Sequence, residues 1–165
     1  MIVVNKQDIL YQEEVGFYSL SIFEGRHPMN SASSIFVIGS ISKTFIVIAV
    51  MQMVEANRRH IDADINQYLP TSMYIVHPYF PNATITTRHL LRHSSGIGLD
   101  LVEQYKFYLS GDTFVQTNMG DIIENHLSKN DSWLPIPPGN ITFYSNVGAV
   151  LAAYIVQRLA GISIE

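Results

Sequence analysis

No cysteine occurs among the 165 residues. That removes disulfides, a thiol nucleophile and cysteine-ligated metals, and leaves the compartment open. Basic charge is scarce as well. Ten Lys and Arg against fourteen Asp and Glu give a net charge of −4, and the longest basic run is Arg58-Arg59-His60. Nucleic acid is therefore not an expected partner, because nothing neutralises a row of phosphates. Long apolar runs are missing too. The most apolar stretch, Phe45 to Val54, contains Gln52 and falls far short of the roughly 20 residues a bilayer demands, so no transmembrane segment is expected. No N-terminal leader is visible, since Met1-Ile2-Val3-Val4 reads directly into a strand. There is no internal repeat and no low-complexity segment. What is present suits one folded domain with a sizeable core: 47% hydrophobic and 15% charged residues, in a length compatible with a single domain.

Taken in order, residues 1–23 read as a β-hairpin, with Ile2-Val3-Val4 and Ile9-Leu10-Tyr11 around the polar turn Asn5-Lys6-Gln7-Asp8. Val15 to Phe23 continues in extended style, with Gly16 as a possible bulge. Glu24 to Ser34 reads as loop. A long helix is expected from about Ser40 to Asn57. Its interior, Phe45 to Met51, is apolar nearly all round, which predicts a central, buried position. His60 to Pro70 reads as a turn and a short amphipathic helix, and Ser72 to Pro81 as irregular. Arg88 to His93 reads as a short helix stopped by Ser94-Ser95-Gly96. Helices are expected over Leu99–Leu109, Met119–Ser128 and Val147–Ala160, the last ended by Gly161. Trp133 to Gly139 reads as a rigid turn.

Two patterns carry possible chemistry. Ser40 and Lys43 sit three apart, which on a helix brings an amine to a hydroxyl on one face. A serine hydroxyl is a weak nucleophile until a base takes its proton, and lysine serves as that base when burial or a nearby cation lowers its pKa. The surrounding Ile, Val, Phe and Gly residues could supply such burial. Roughly one Ser-x-x-Lys arises by chance in a chain of this length, and the bland alternative makes Ser40 a helix cap with Lys43 solvated. His89 and His93 sit four apart, as in a zinc site. The zinc-protease pattern needs Glu directly after the first His, and Leu90 stands there, so structural histidines are the expectation.

Three pieces in order then resemble one family, the penicillin-recognising serine hydrolases, with the class C β-lactamase branch and its related D,D-peptidases and esterases the best match. Phe36–Phe45 resembles that family's Ser-x-x-Lys segment. Ile85 to Gly96, with Leu90-Leu91-Arg92-His93-Ser94-Ser95-Gly96, is similar to its mid-domain turn. Pro138-Gly139 through Phe143-Tyr144-Ser145-Asn146 resembles its Tyr-x-Asn segment. The similarity runs from about Val3 to Ser163. It implies an α+β fold of the β-lactamase/transpeptidase type. It further implies a partial domain over 1–165, with N-terminal strands and a loop in 1–35, a mainly helical subdomain in 36–165 and an incomplete sheet.

By the same resemblance Ser40 would be the acylated nucleophile and Lys43 its base partner. Tyr144 would shuttle the proton to the leaving group and later help activate water. Asn146 would hold Lys43 and bind a substrate amide or carbonyl. The implied partner is a small-molecule or peptide amide or ester (a β-lactam, a stem peptide or a small ester), with no cofactor and no metal. Two departures matter. The family's Lys/His-Thr/Ser-Gly segment, whose strand donates one oxyanion-hole N–H, has no counterpart after Asn146, and losing one such donor costs about a hundred- to a thousand-fold in rate. The family's N-terminal helix has no counterpart either. An inactive or merely binding chain of the same fold is thus the alternative expectation. An open sheet edge would favour self-association and low stability.

Overall fold

The computed structural model describes residues 1–21, 25–98 and 118–162. The helix expected over Leu99–Leu109 lies outside these residues. The chain divides into two compact units, Met1–Gly39 and Ser40–Glu165.

The first unit is two narrow ribbons. Strand β1 (Ile2–Val4) pairs antiparallel with β2 (Ile9–Gln12), placing Ile2 opposite Gln12 and Val3 opposite Tyr11. The Asn5 side chain holds the turn between them by accepting from the Gln7 and Asp8 amides at 2.8 and 2.7 Å, the local bonding that makes Asn a turn residue. Strand β3 (Phe17–Ser21) pairs antiparallel with β4 (Gly25–Pro28) in a separate sheet. Residues 25–28 are thus a strand, where loop is expected from the sequence. Gly25 sits at a strand end with φ +83°, and Pro28 ends the strand, where a missing N–H is tolerated. Each sheet is two strands wide, and the apolar side chains of β1 and β2, Ile2, Val4, Ile9 and Leu10 among them, are exposed.

The second unit is built on helices. Helix α1 spans Ser42–Glu55, α2 Thr87–Leu91, α3 Met119–Leu127 and α4 Asn146–Ala160. Helix α4 is the centre of the unit, with α1, α2 and α3 all packed on it. Val147, Leu151, Ala152 and Ile155 recur at helical spacing and are buried, which is the stripe an amphipathic helix turns to a core. Ser145 caps its start by accepting from the Gly148 amide at 3.0 Å, and Gly161 ends it in the left-handed region at φ +71°. Ile65, Leu90, Ile97, Ile123 and Trp133 complete the core.

Helix α1 departs from expectation. Only Val50 of it is buried, and Phe45 is 63% exposed. An apolar surface on all sides predicts burial only if every side finds a partner; α4 covers one. The helix expected within His60–Pro70 is shorter than foreseen, a 3-10 turn at Ile65–Gln67 capped by Asp64. There the Asn66 side chain both donates to and accepts from the Ile75 backbone, at 2.9 and 2.8 Å, and so ties the irregular 72–81 stretch to the core. No described helix is long and apolar enough to cross a membrane.

Candidate active site

The chain enters α1 through a 3-10 turn, Gly39–Ile41. Ile41 stands at the N-cap position and no side chain caps the helix. Ser40 therefore spends its hydroxyl on something other than capping. Lys43, half-buried in the first turn of α1, donates from Nζ to Ser40 Oγ at 3.1 Å. This is the meeting that the three-residue spacing predicts. From 104 residues further along the chain, the Tyr144 hydroxyl reaches the same oxygen at 2.6 Å. The Lys43 ammonium also stands 5.0 Å from the centre of the Tyr144 ring, within cation–π range.

These contacts act on the phenol. Hydrogen bonding with the Lys43 ammonium, then with the Ser40 hydroxyl, draws the Tyr144 pKa below its ordinary value, while burial works weakly the other way. A phenol so placed is closer to serving as a base than a free tyrosine. With Tyr144 protonated, its O–H donates to Ser40. With Tyr144 ionised, Ser40 can donate back across the same short contact, which lies in the range of O–H to O⁻ bonds. The apolar cover expected around Lys43 is partial, since Phe45 and Ile41 beside it are largely exposed.

Tyr144 is held by a second stretch of chain. Residues 93–98 and 132–145 run side by side and exchange backbone bonds: Gly98 N to Ser132 O at 2.7 Å, Leu134 N to Gly96 O at 2.8 Å, Gly139 N to Ser94 O at 2.7 Å and Phe143 N to His93 O at 2.7 Å. Gly96 permits this turn. Its φ is +82°, and a Cβ there would lie 2.5 Å from Nε2 of the buried His77, closer than real side chains come. His93 is itself left-handed, at φ +54°, an uncommon conformation for a non-glycine residue. Its Nδ1 accepts from the Ser145 amide at 3.3 Å, and its ring lies 4.4 Å from that of Tyr144.

The pair His89 and His93 is not stacked on one helix, as the sequence reading had it. Helix α2 ends at Leu91, and the backbone reverses hand at His93. His89 closes a capping box with Thr86, its Nδ1 accepting from the Thr86 amide at 3.3 Å. Among the described residues no three His, Asp or Glu side chains gather as a metal site. Asn146 is the first residue of α4, half-buried and two residues beyond Tyr144. What sequence reasoning missed is the contact of His93 with the Tyr144 segment. The available signal was a helix halted by Ser94-Ser95-Gly96, so close that its last histidine had to leave the helical path.

An α+β chain with a serine, a lysine and a tyrosine meeting at one oxygen defines a class, and the comparisons name it. The chain belongs to the Beta-lactamase family, which it matches over residues 1–165. It is 26% identical over 163 residues to penicillin-binding protein 4* of Bacillus subtilis (strain 168), covering 94% of this chain and 31% of that protein. It is 28% identical over 171 residues to esterase EstB of Burkholderia gladioli, covering 97% of this chain and 40% of the other. Among solved structures it resembles the octameric penicillin-binding protein homologue from Pyrococcus abyssi. There the TM-score is 0.73 and the identity 25%, over 98% of this chain and 35% of that one. The chain thus spans between about a third and two fifths of the length of these curated relatives. The fold is the β-lactamase and penicillin-binding-protein fold.

Proposed function

We propose that this chain is a serine hydrolase that opens an amide or ester through an acyl-serine intermediate. The observation that carries the reading is the double approach to Ser40 Oγ, by Lys43 Nζ at 3.1 Å and by the Tyr144 hydroxyl at 2.6 Å. Ser40 attacks the carbonyl carbon, and its proton passes to the basic member of the Lys43–Tyr144 pair. Tyr144 then delivers that proton to the leaving nitrogen or oxygen as the tetrahedral intermediate collapses. Water attacks the acyl ester by the reverse route and releases the acid. Asn146, at the start of α4, takes the role of holding Lys43 and binding the substrate's amide or carbonyl. A penicillin-binding protein and an esterase among the relatives favour a β-lactam, a peptide or a small ester as substrate.

The second reading is a chain that binds such molecules without turnover. Labelling with a fluorophosphonate or a fluorescent penicillin, followed by mass measurement, separates the two. One adduct on the peptide containing Ser40, lost in Ser40→Ala, is expected. No adduct, or one that survives Ser40→Ala, removes the hydrolase reading. Reversible penicillin binding that is indifferent to Ser40→Ala favours the binder.

A further inference from the structure

His93 makes three contacts with one short segment. Its carbonyl takes the Phe143 amide at 2.7 Å, its Nδ1 takes the Ser145 amide at 3.3 Å and its ring lies against Tyr144 at 4.4 Å. The residues before and after the phenol are thus both tied to a single histidine. We propose that His93 is the positioning residue for Tyr144, and that it holds the phenol at Ser40 only as the neutral imidazole carrying its proton on Nε2. The inference deepens the hydrolase reading and takes the roles of Ser40 and Tyr144 from it.

The tautomer follows from the hydrogen bond. Nδ1 accepts the Ser145 N–H, so it carries no proton, and in a neutral ring the proton is on Nε2. A doubly protonated ring would present N–H to N–H and leave the amide of Ser145, a buried residue, without its acceptor. His93 shares a crevice with Lys43, Ile46, Leu90 and Ala149. Burial there, then the Lys43 charge, pushes its pKa below the ordinary histidine value, and the Ser145 N–H, which only the neutral ring can accept, favours the same form. The titratable and charged groups around it are Lys43 on α1, Tyr144 on the segment it pins, and Arg92 and His89 on its own stretch. Protonation has two opposed consequences for Tyr144. The new cation favours the ionised phenol, while loss of the Ser145 bond frees the segment that carries it. Positioning is the larger effect, because misplacing a reacting group by about 1 Å costs roughly a hundred-fold in rate.

The test uses the full chain carrying Cζ-labelled tyrosine, compared with His93→Gly and His93→Asn. Glycine keeps the left-handed backbone and removes the imidazole. Asparagine tolerates that backbone and sets its Oδ1 where Nδ1 stood, without a group that titrates. In the parent, Tyr144 is expected to ionise below ordinary tyrosine and to show a second inflection as His93 protonates. In His93→Gly its ionisation moves up towards ordinary tyrosine, and fluorophosphonate labelling of Ser40 falls about a hundred-fold. In His93→Asn both recover and the acid inflection is gone. A folded His93→Gly whose Tyr144 titrates as in the parent overturns the proposal, as does an acid inflection that persists in His93→Asn. The asparagine arm decides alone if the glycine variant does not fold. The titration needs no reaction. A His93-dependent shift in a parent that never labels at Ser40 therefore sinks the hydrolase reading and leaves the positioning role standing.

Discussion

Tyr144→Phe removes one oxygen and nothing else. The ring stays against His93 and beneath the Lys43 ammonium, and the residue is 46% exposed. Folding stability should therefore stay within about 0.5 kcal/mol of the parent. Chemistry should not. The lost hydroxyl stands 2.6 Å from the nucleophile, and a positioned acid–base group contributes about a hundred- to ten-thousand-fold. At 1.36 kcal/mol per tenfold, that is roughly 2.7 to 5.4 kcal/mol of barrier. The assay is the second-order rate of Ser40 labelling by a fluorophosphonate across pH, with thermal melting as the stability control. In the parent the rate should rise with pH through a midpoint below ordinary tyrosine, because the ionised phenol is the competent base and its contacts draw its pKa down. In Tyr144→Phe the rate should fall by at least about a hundred-fold and that rise should vanish. If the variant labels as fast as the parent while Ser40→Ala stays blank, Lys43 suffices and Tyr144 has no role in proton transfer.

Other outcomes follow from the same geometry. Leu151→Ala, at a site with 0% exposure in the middle of α4, should cost about 2–5 kcal/mol in urea unfolding; a cost under about 1 kcal/mol would mean that α4 is not the core element. Arg59 is 6% exposed, its guanidinium nitrogens have no hydrogen-bond partner among the described residues, and it lies over the Tyr68 ring at 4.8 Å. Arg59→Met should therefore stabilise the chain by about 1–4 kcal/mol, and a loss of stability would show that the ring contact outweighs the buried charge. His77, His89 and His93 all have pKa values lowered chiefly by burial. The unfolded chain then takes up protons that the native state refuses, so stability should be full above pH 6.5 and decline as pH drops through and below that value; a melting temperature that holds or rises from pH 7.5 to 5.5 would contradict this. Two-stranded sheets with open edges should promote self-association, and sedimentation that finds only monomer at high concentration would refute it.

Much of the site was legible because part of it is local. Ser40, on the 3-10 turn, and Lys43, in the first turn of α1, are three residues apart, and their 3.1 Å contact is local in sequence. Tyr144 is a different case. No periodicity points from residue 144 to residue 40, and only the resemblance of the Tyr-x-Asn stretch singled it out. The end of α4 was readable from its stop, Gly161, whereas the Ser145 cap went unread and the helix starts one residue before the expected Val147. The surroundings of α1 were not, because a pattern states which side chains are apolar and not how many of them find cover. His93 escaped for a subtler reason. Its spacing from His89 reads as one helical turn, but the chain leaves the helix at Leu91, and a left-handed residue cannot be inferred from composition when it is histidine.

Surface connections usually forgive an inserted or deleted residue. The stretch from Ser132 to Phe143, with its three prolines and little regular structure, looks like such a connection. It is instead stitched to residues 93–98 rung by rung, and the phenol hangs one residue past the last rung. Adding or removing a single residue between Pro135 and Pro138 would shift every later rung by one place and carry the phenol out of register with the alcohol. Length here is thus as constrained as side-chain identity. Homologues that keep the tyrosine should keep this spacing, even where the residues between the rungs have drifted.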